Sequence, residues 1–323
     1  MRVLRSGAPQ LLAFAAVLLA DRLASPQFLA VHLQDGRLFG SLVDVFNRGA
    51  PVALLSLGMV LVVATGGIDL SVGAVMAIAG AVAASLADSY PLPVVLSAGL
   101  GTGLACGLWN GFLVASLRIQ PIVATLILMV AGRGVAQLIT EGRIVTFTSP
   151  DLAFLGGGAL LGVPMPVVLV LVMLLLTLAL VRGSALGLMI EATGGNARAS
   201  ALAGIDTRSV TVAVYAWSGL CAALAGVVAA ADILGADANN AGLWLELDAI
   251  LAVVVAGSSL LGGRFSLWRA VLGAFIIQAM NTGILLSGLP PELNLVVKAA
   301  VVLAVLLLQS PRLSGLTLLL RKP

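Results

Sequence analysis

The 323-residue sequence is 60% hydrophobic and 10% charged, with a mean hydropathy of +1.15. Soluble domains average about 25% charged residues, so one large soluble core is excluded, and the lack of short alternating segments excludes a membrane β-barrel. The formal net charge of +3 says little about nucleic acid, and the basic residues are spread over loop ends rather than clustered on one face, so no nucleic-acid partner is expected.

Successive apolar runs of spanning length predict an all-α, polytopic integral membrane protein with about ten transmembrane helices. The expected spans are 8–24, 50–66, 70–88, 93–117, 121–140, 164–182, 209–231, 246–262, 266–286 and 292–309. Arg2 and Arg5 precede the first run, but no small-x-small site follows it, so it reads as a retained span. Residues 25–49, with His32, Asp35, Arg37, Asp44 and Arg48, read as an outer amphipathic or re-entrant segment. The stretch Glu141–Val163 is long enough for an outer cap or short helix. Cys106 and Cys221 lie inside apolar runs, which predicts neither a disulfide nor a metal site.

An even number of spans puts both termini on one side. Eleven cations share that side: Arg2, Arg5, Arg118, Arg182, Arg198, Arg208, Arg264, Arg269, Arg312, Arg321 and Lys322. Four lie opposite: Arg22, Arg37, Arg48 and Arg143. Positive charge collects on the cytoplasmic side, so both termini are expected there.

The polar stretch 182–208 separates the sixth and seventh spans. Gly194 and Gly195 predict a bend, and Asn196 is placed to N-cap a short helix, Ala197–Ala203. Gly204 suits the left-handed residue at that helix's end. Asp206 or Thr207 can cap the span that follows. Length and composition leave open whether this is a docking element or an ordinary capped surface helix.

Asp69 is the acid between the second and third spans. It can N-cap the third span through the amides of Ser71 or Val72, or border a translocation path. Asn110, Thr125, Gln137, Gln278, Asn281 and Thr282 are polar groups inside spans. They can meet a polar solute, though such groups more often bond neighbouring helices, for about 0.6–2 kcal/mol each. Arg133 and Lys298 are cations inside spans with no partner visible in the sequence; Lys298 can snorkel or meet a carbonyl. Gly66-Gly-Ile-Asp-Leu-Ser71 and Gly262-Gly-Arg-Phe-Ser-Leu267 form a weak internal echo. Lys298 and Lys322 are the only lysines and neither follows a glycine, so there is no P-loop. No catalytic constellation stands out, which predicts a protein that is not an enzyme. If ATP drives it, ATP and Mg bind another chain, and no cofactor sits on this one.

The stretch 182–208 resembles the cytoplasmic coupling loop of ABC-transporter permeases, and in particular the ribose/galactofuranose branch of sugar importers. Gly66-Gly-Ile-Asp-Leu-Ser-Val-Gly73 carries the same resemblance. So do Asn110-Gly-Phe-Leu-Val, Pro121-Ile-Val-Ala-Thr-Leu126 and the stretch Gly257 to Gly273. Asn239 to Asp248 and Met280 to Gly288 look most like the galactofuranose permeases. The likeness covers residues 45–310 and implies one permease domain over 1–323. It implies coupling to an ATPase through Glu191, Gly195, Asn196, Ala199, Gly204 and Ile205. The candidates for the pathway are Asp69, Ser71, Asn110, Thr125 and Asn281. The implied partners are an ABC ATPase subunit, a second permease (identical or homologous), a periplasmic sugar-binding protein and the lipid bilayer of a bacterial inner membrane. The implied activity is import of a monosaccharide by alternating access. The alternatives are another small solute, such as a branched-chain amino acid or a nucleoside, and a proton- or sodium-coupled transporter.

Overall fold

The computed structural model describes residues 7–34, 36–288, 290, 293, 295–300 and 303. Among them run the α-helices α1 (Ala8–Ala24), α2 (Ser41–Ala64), α3 (Val72–Leu86), α4 (Leu92–Ala115), α5 (Pro121–Ile139), α6 (Pro150–Gly157), α7 (Met165–Gly183), α8 (Leu186–Leu202), α9 (Thr207–Asp232), α10 (Leu245–Val255) and α11 (Leu267–Leu286), and residues 293, 295–300 and 303 are helical as well. Three antiparallel pairs of short strands close the loops. They are β1 (His32–Gln34) with β2 (Arg37–Phe39), β3 (Ile144–Thr146) with β6 (Gly235–Asp237), and β4 (Ala159–Leu160) with β5 (Val163–Pro164). The chain is therefore mostly helical rather than all-α. Six helices, α2, α4, α5, α7, α9 and α11, are long and apolar enough to cross a membrane, and α3 is a shorter apolar helix.

Two elements depart from the sequence-based boundaries. α2 starts at Ser41 rather than at residue 50. Val45 is fully buried, and Gly49 lies so close to α11 that an added Cβ would stand 3.0 Å from the Phe275 ring. Burial against α11 thus draws a mixed segment into the helix, and the remainder of 25–49 folds as the β1–β2 hairpin. α10 ends at Val255, not at 262, because Gly257 takes a left-handed φ of +82°. The last expected span, 292–309, lies outside the described residues except for 293, 295–300 and 303.

The core forms where α9 meets α2, α3 and α4. α2 and α9 are largely buried, whereas α4, α5 and α7 turn Leu108, Leu126, Val130, Leu171 and Leu175 outward. An apolar exterior of this kind suits a bundle whose surroundings are lipid. The α4–α9 seam repeats a glycine every fourth residue. Cβ atoms added at Gly103, Gly107 and Gly111 would each run into the α9 backbone, at Gly219, Tyr215–Ala216 and Val212. Small residues let helices approach backbone to backbone where lipid gives no hydrophobic drive. Gly101, two residues from this row, meets nothing within 4 Å.

Candidate functional site: a buried polar cluster and the kinked helix beneath it

The loop between α2 and α3 turns back into the bundle. Thr65 Oγ1 donates to Val62 O at 2.7 Å, and Gly66 takes a φ of +83°. The chain then climbs along α9: Gly67 lies under Tyr215, and Asp69 reaches Ser218 three residues further on. Asp69 is 2% exposed. Its Oδ1 accepts from Ser71 N at 3.0 Å and Ser71 Oγ at 2.6 Å, and its Oδ2 accepts from Ser218 Oγ at 3.0 Å. Asn110 Nδ2 on α4 donates to Ser71 Oγ at 2.8 Å. Thr125 Oγ1 on α5 accepts from Leu70 N at 3.1 Å and donates to Pro121 O at 2.9 Å.

Three donors satisfy the carboxylate, as burial of such a group requires. Asp69 holds the Ser71 amide just ahead of α3, one of the two amides expected of it, but Ser71 itself is the N-cap residue and no side chain caps α3. Asp69 also ties that turn to α9. Four of the five pathway candidates, Asp69, Ser71, Asn110 and Thr125, thus gather around residues 68–71. Asn281 stands apart on α11, its Oδ1 buried without a partner. Asn110 Oδ1 is likewise buried and unpartnered, so the cluster keeps acceptor capacity. Sequence reading missed Ser218 and Tyr215. Their spacing of three on α9 puts both on one face, but nothing local says which loop that face meets.

Below the cluster lies α8. It is kinked at Asn196 (φ −163°, ψ 97°), whose Oδ1 accepts from Ala199 N at 2.9 Å, the bond of an N-cap. Gly204 has a φ of +90°, and Asp206 caps α9 by accepting from Arg208 N at 3.1 Å and Ser209 N at 3.3 Å. The Ser209 hydroxyl, donating to Asp206 Oδ2 at 2.5 Å, is the chief cause holding that carboxyl below its ordinary range. The sequence of helix, bend, short helix, turn and span is therefore present. Asn196, Ala199 and Gly204 are exposed, and Glu191 and Ile205 are half-buried. Leu202 (85% exposed) and Leu188 (77%) add apolar surface that the sequence reading had not singled out.

Three backbone segments meet at the kink. A Cβ on Gly194 would collide with Ala64 O and stand 2.7 Å from Gly263 N. Gly263 N–H donates to Ala64 O at 2.9 Å. A Cβ on Gly262 would lie 2.7 Å from Gly194 O and 3.1 Å from Gly66 N. The two Gly-Gly stretches of the internal echo are therefore neighbours, with α8 between them. Gly195, one residue on, meets nothing within 4 Å.

The two cations inside spans both have partners. Arg133 Nη1 donates to the carbonyls of Ala238 (3.0 Å) and Ala241 (2.6 Å), pinning the loop after β6 to α5. Lys298 pairs with the Asp248 carboxylate at 2.7 and 2.8 Å rather than snorkelling or meeting a carbonyl. At the β3–β6 end a cavity of about 320 Å³ is bordered by Asn47, Arg48, Asp232, Asp237 and Asn240. Asn240 Nδ2 donates to Asp237 at 2.7 Å, the main cause of that carboxyl's lowered pKa.

The chain matches the family described as branched-chain amino acid transport system / permease component over residues 41–306. It is 64% identical over 312 residues to the galactofuranose transporter permease protein of Escherichia coli (strain K12), covering 96% of this chain and 92% of that one. The fructose import permease protein of Bifidobacterium longum (strain NCC 2705) is 38% identical, with 95% and 88% covered. The ribose import permease protein of Escherichia coli (strain K12) is 36% identical, with 89% and 88% covered. No solved structure matches.

Proposed function

We infer the function from one premise: the chain belongs to the branched-chain amino acid transport system / permease component family. It is a multi-pass permease of an ABC sugar importer, the transport subunit and not the catalytic one. The sugar we assign is galactofuranose, the solute named for the 64%-identical relative. Fructose and ribose, named for relatives at 38% and 36%, are the nearest competing assignments.

The mechanism we assign is alternating access driven by a separate ATPase chain that carries ATP and Mg. The whole of 1–323 acts as one permease domain with ten spans. These are the six long helices, α1, α3 and α10, and the segment 292–309. Both termini are cytoplasmic, in a bacterial inner membrane. The ATPase docks on the second half of α8, around Asn196 and Ala199, with Glu191, Gly195, Gly204, Ile205 and Leu202 at its edges. A second permease subunit, identical or homologous, covers part of the apolar α4–α5 face. A periplasmic sugar-binding protein delivers to the β3–β6 end, where the amides and carboxylates around the cavity suit sugar hydroxyls.

The observation that carries this mechanism is the backbone junction of Gly194, Ala64 and Gly263. Displacing α8 there displaces the loop that holds Asp69, and with it the bonds to Ser218 on α9. Transitions of this kind need packed elements with two arrangements. The test is reconstitution with the ATPase and binding protein in liposomes. Galactofuranose should stimulate hydrolysis and be taken up. Stimulation by ribose or fructose alone would overturn the sugar assignment, and uptake driven by a proton or sodium gradient without ATP would overturn the class.

A further inference from the structure

At the end of the bundle that carries α8, a second cavity of about 290 Å³ opens between four elements. It lies between the end of α2, the turn from α4 to α5, the kinked middle of α8 and the first turns of α9. Its border includes Arg118, Arg208, Thr193, Thr211 and Tyr215. Two of these carry hydroxyls that are buried and have no hydrogen-bond partner. Tyr215 is fully buried and Thr193 is 5% exposed. An orphaned buried hydroxyl costs about 1–3 kcal/mol, and two beside one cavity point to an absent ligand.

The rim adds charge. Arg118 and Arg208 are exposed, and neither guanidinium forms a salt bridge among the described residues. The nearby acid, Asp206, bonds the amides of Arg208 and Ser209 and the Ser209 hydroxyl, and its charge also acts on Arg208 without forming an ion pair with it. Arg118 adopts a left-handed φ of +57°, a conformation unfavourable for a residue with a Cβ. Pro121, also on the border, opens α5, whose first turn no side chain caps. Two forked guanidiniums, free hydroxyls and an uncapped helix start match a phosphate group. A neutral sugar leaving the pathway would need none of this charge.

We propose that this cavity is a phosphate-binding site, taking either a phosphorylated sugar from solution or the headgroup of an anionic lipid. An occupant there bridges α4, α8 and α9 and so restrains the movement assigned above to α8. Only this consequence, and the placing of the site on the cytoplasmic side, rest on the proposed function.

The test uses the full chain in phosphatidylcholine nanodiscs, with glucose 6-phosphate and inorganic phosphate as probes in titration calorimetry. Saturable binding of glucose 6-phosphate is expected, with glucose neither binding nor competing. Arg118→Gln and Arg208→Gln should each weaken it tenfold or more, and Tyr215→Phe severalfold. Arg118→Lys, which keeps the charge but loses the fork, should fall between, guarding against a simple folding defect. In phosphatidylglycerol nanodiscs, a lipid source predicts that the sugar phosphate is displaced and that a higher melting temperature is lost in the two Gln variants. Absence of saturable binding in the first nanodiscs and of arginine-dependent stabilisation in the second would overturn the proposal. Equal binding of glucose would overturn it too. Galactofuranose uptake measured in parallel separates the two readings: phosphate binding that fails while wild-type uptake stands removes this inference alone.

Discussion

Gly194→Ala and Gly195→Ala form a matched pair. The residues are adjacent, on one helix, and both have a φ that alanine can adopt. Helix propensity and unfolded-state entropy favour both substitutions, by about 0.5–1 kcal/mol each. Their surroundings differ. The methyl at 195 enters open space, while the methyl at 194 collides with Ala64 O and sits 2.7 Å from Gly263 N. Ordinary contact there is about 3.4 Å or more, so backbone must move. Overpacking of this kind costs about 1–3 kcal/mol, and losing the 2.9 Å Gly263–Ala64 hydrogen bond adds about 1 kcal/mol. Gly195→Ala should therefore melt at or slightly above wild type. Gly194→Ala should lose about 1–3 kcal/mol net once the helix gain is subtracted. In proteoliposomes with the ATPase, Gly194→Ala should also lower sugar molecules moved per ATP hydrolysed. Equal melting and equal coupling ratios for the two variants would refute the junction as the transmitting contact.

Ser218→Ala removes one of three donors to the buried Asp69 carboxylate and should cost about 1.5–3 kcal/mol, read by thermal melting. Asp69→Asn keeps a capping side chain, so it should assemble normally; lost uptake in that assembled variant would assign Asp69 to the pathway. Lys298→Met or Asp248→Leu alone leaves an uncompensated buried charge and should cost about 3–5 kcal/mol, whereas the double variant should recover most of it. A double variant as unstable as the singles would deny the pair any coupling. Because Asp206 titrates below its ordinary 3.8, its cap on α9 is in place above that value and is lost only as pH falls through the lowered pKa. Ser209→Ala should move this loss to higher pH, visible as an earlier acid-side fall in coupled hydrolysis.

What the sequence makes legible here is local. The apolar runs announce most spans because each must be long enough for a bilayer. Asn196, Gly204 and Asp206 announce the turns around α8 because capping is decided within four residues. Asp69 stands out because an acid between apolar runs is expensive. What is not legible is non-local. Ser218 finds Asp69 across 149 residues and Lys298 finds Asp248 across 50, and neither separation leaves a trace in local pattern. The choice between Gly194 and Gly195 depends on which face of α8 meets the Ala64 carbonyl, which a Gly-Gly pair cannot encode. The early start of α2 escapes for the same reason, since its polar first turns are helical only because α11 covers Val45 and Gly49.

The glycine seam of α9 also has a mechanical meaning. Side chains that interlock resist both rotation and sliding, whereas smooth backbone against backbone resists separation far more than pivoting. α9 runs 26 residues without a break, about 39 Å of rigid rod. Its first turn is capped beside α8, and its last leads directly into β6 and the Asp237 cavity. Pivoting such a rod by about 3° carries its far tip through about 2 Å. In the mechanism proposed above, a small displacement at the α8 end of this rod would become a larger one at the β6 end.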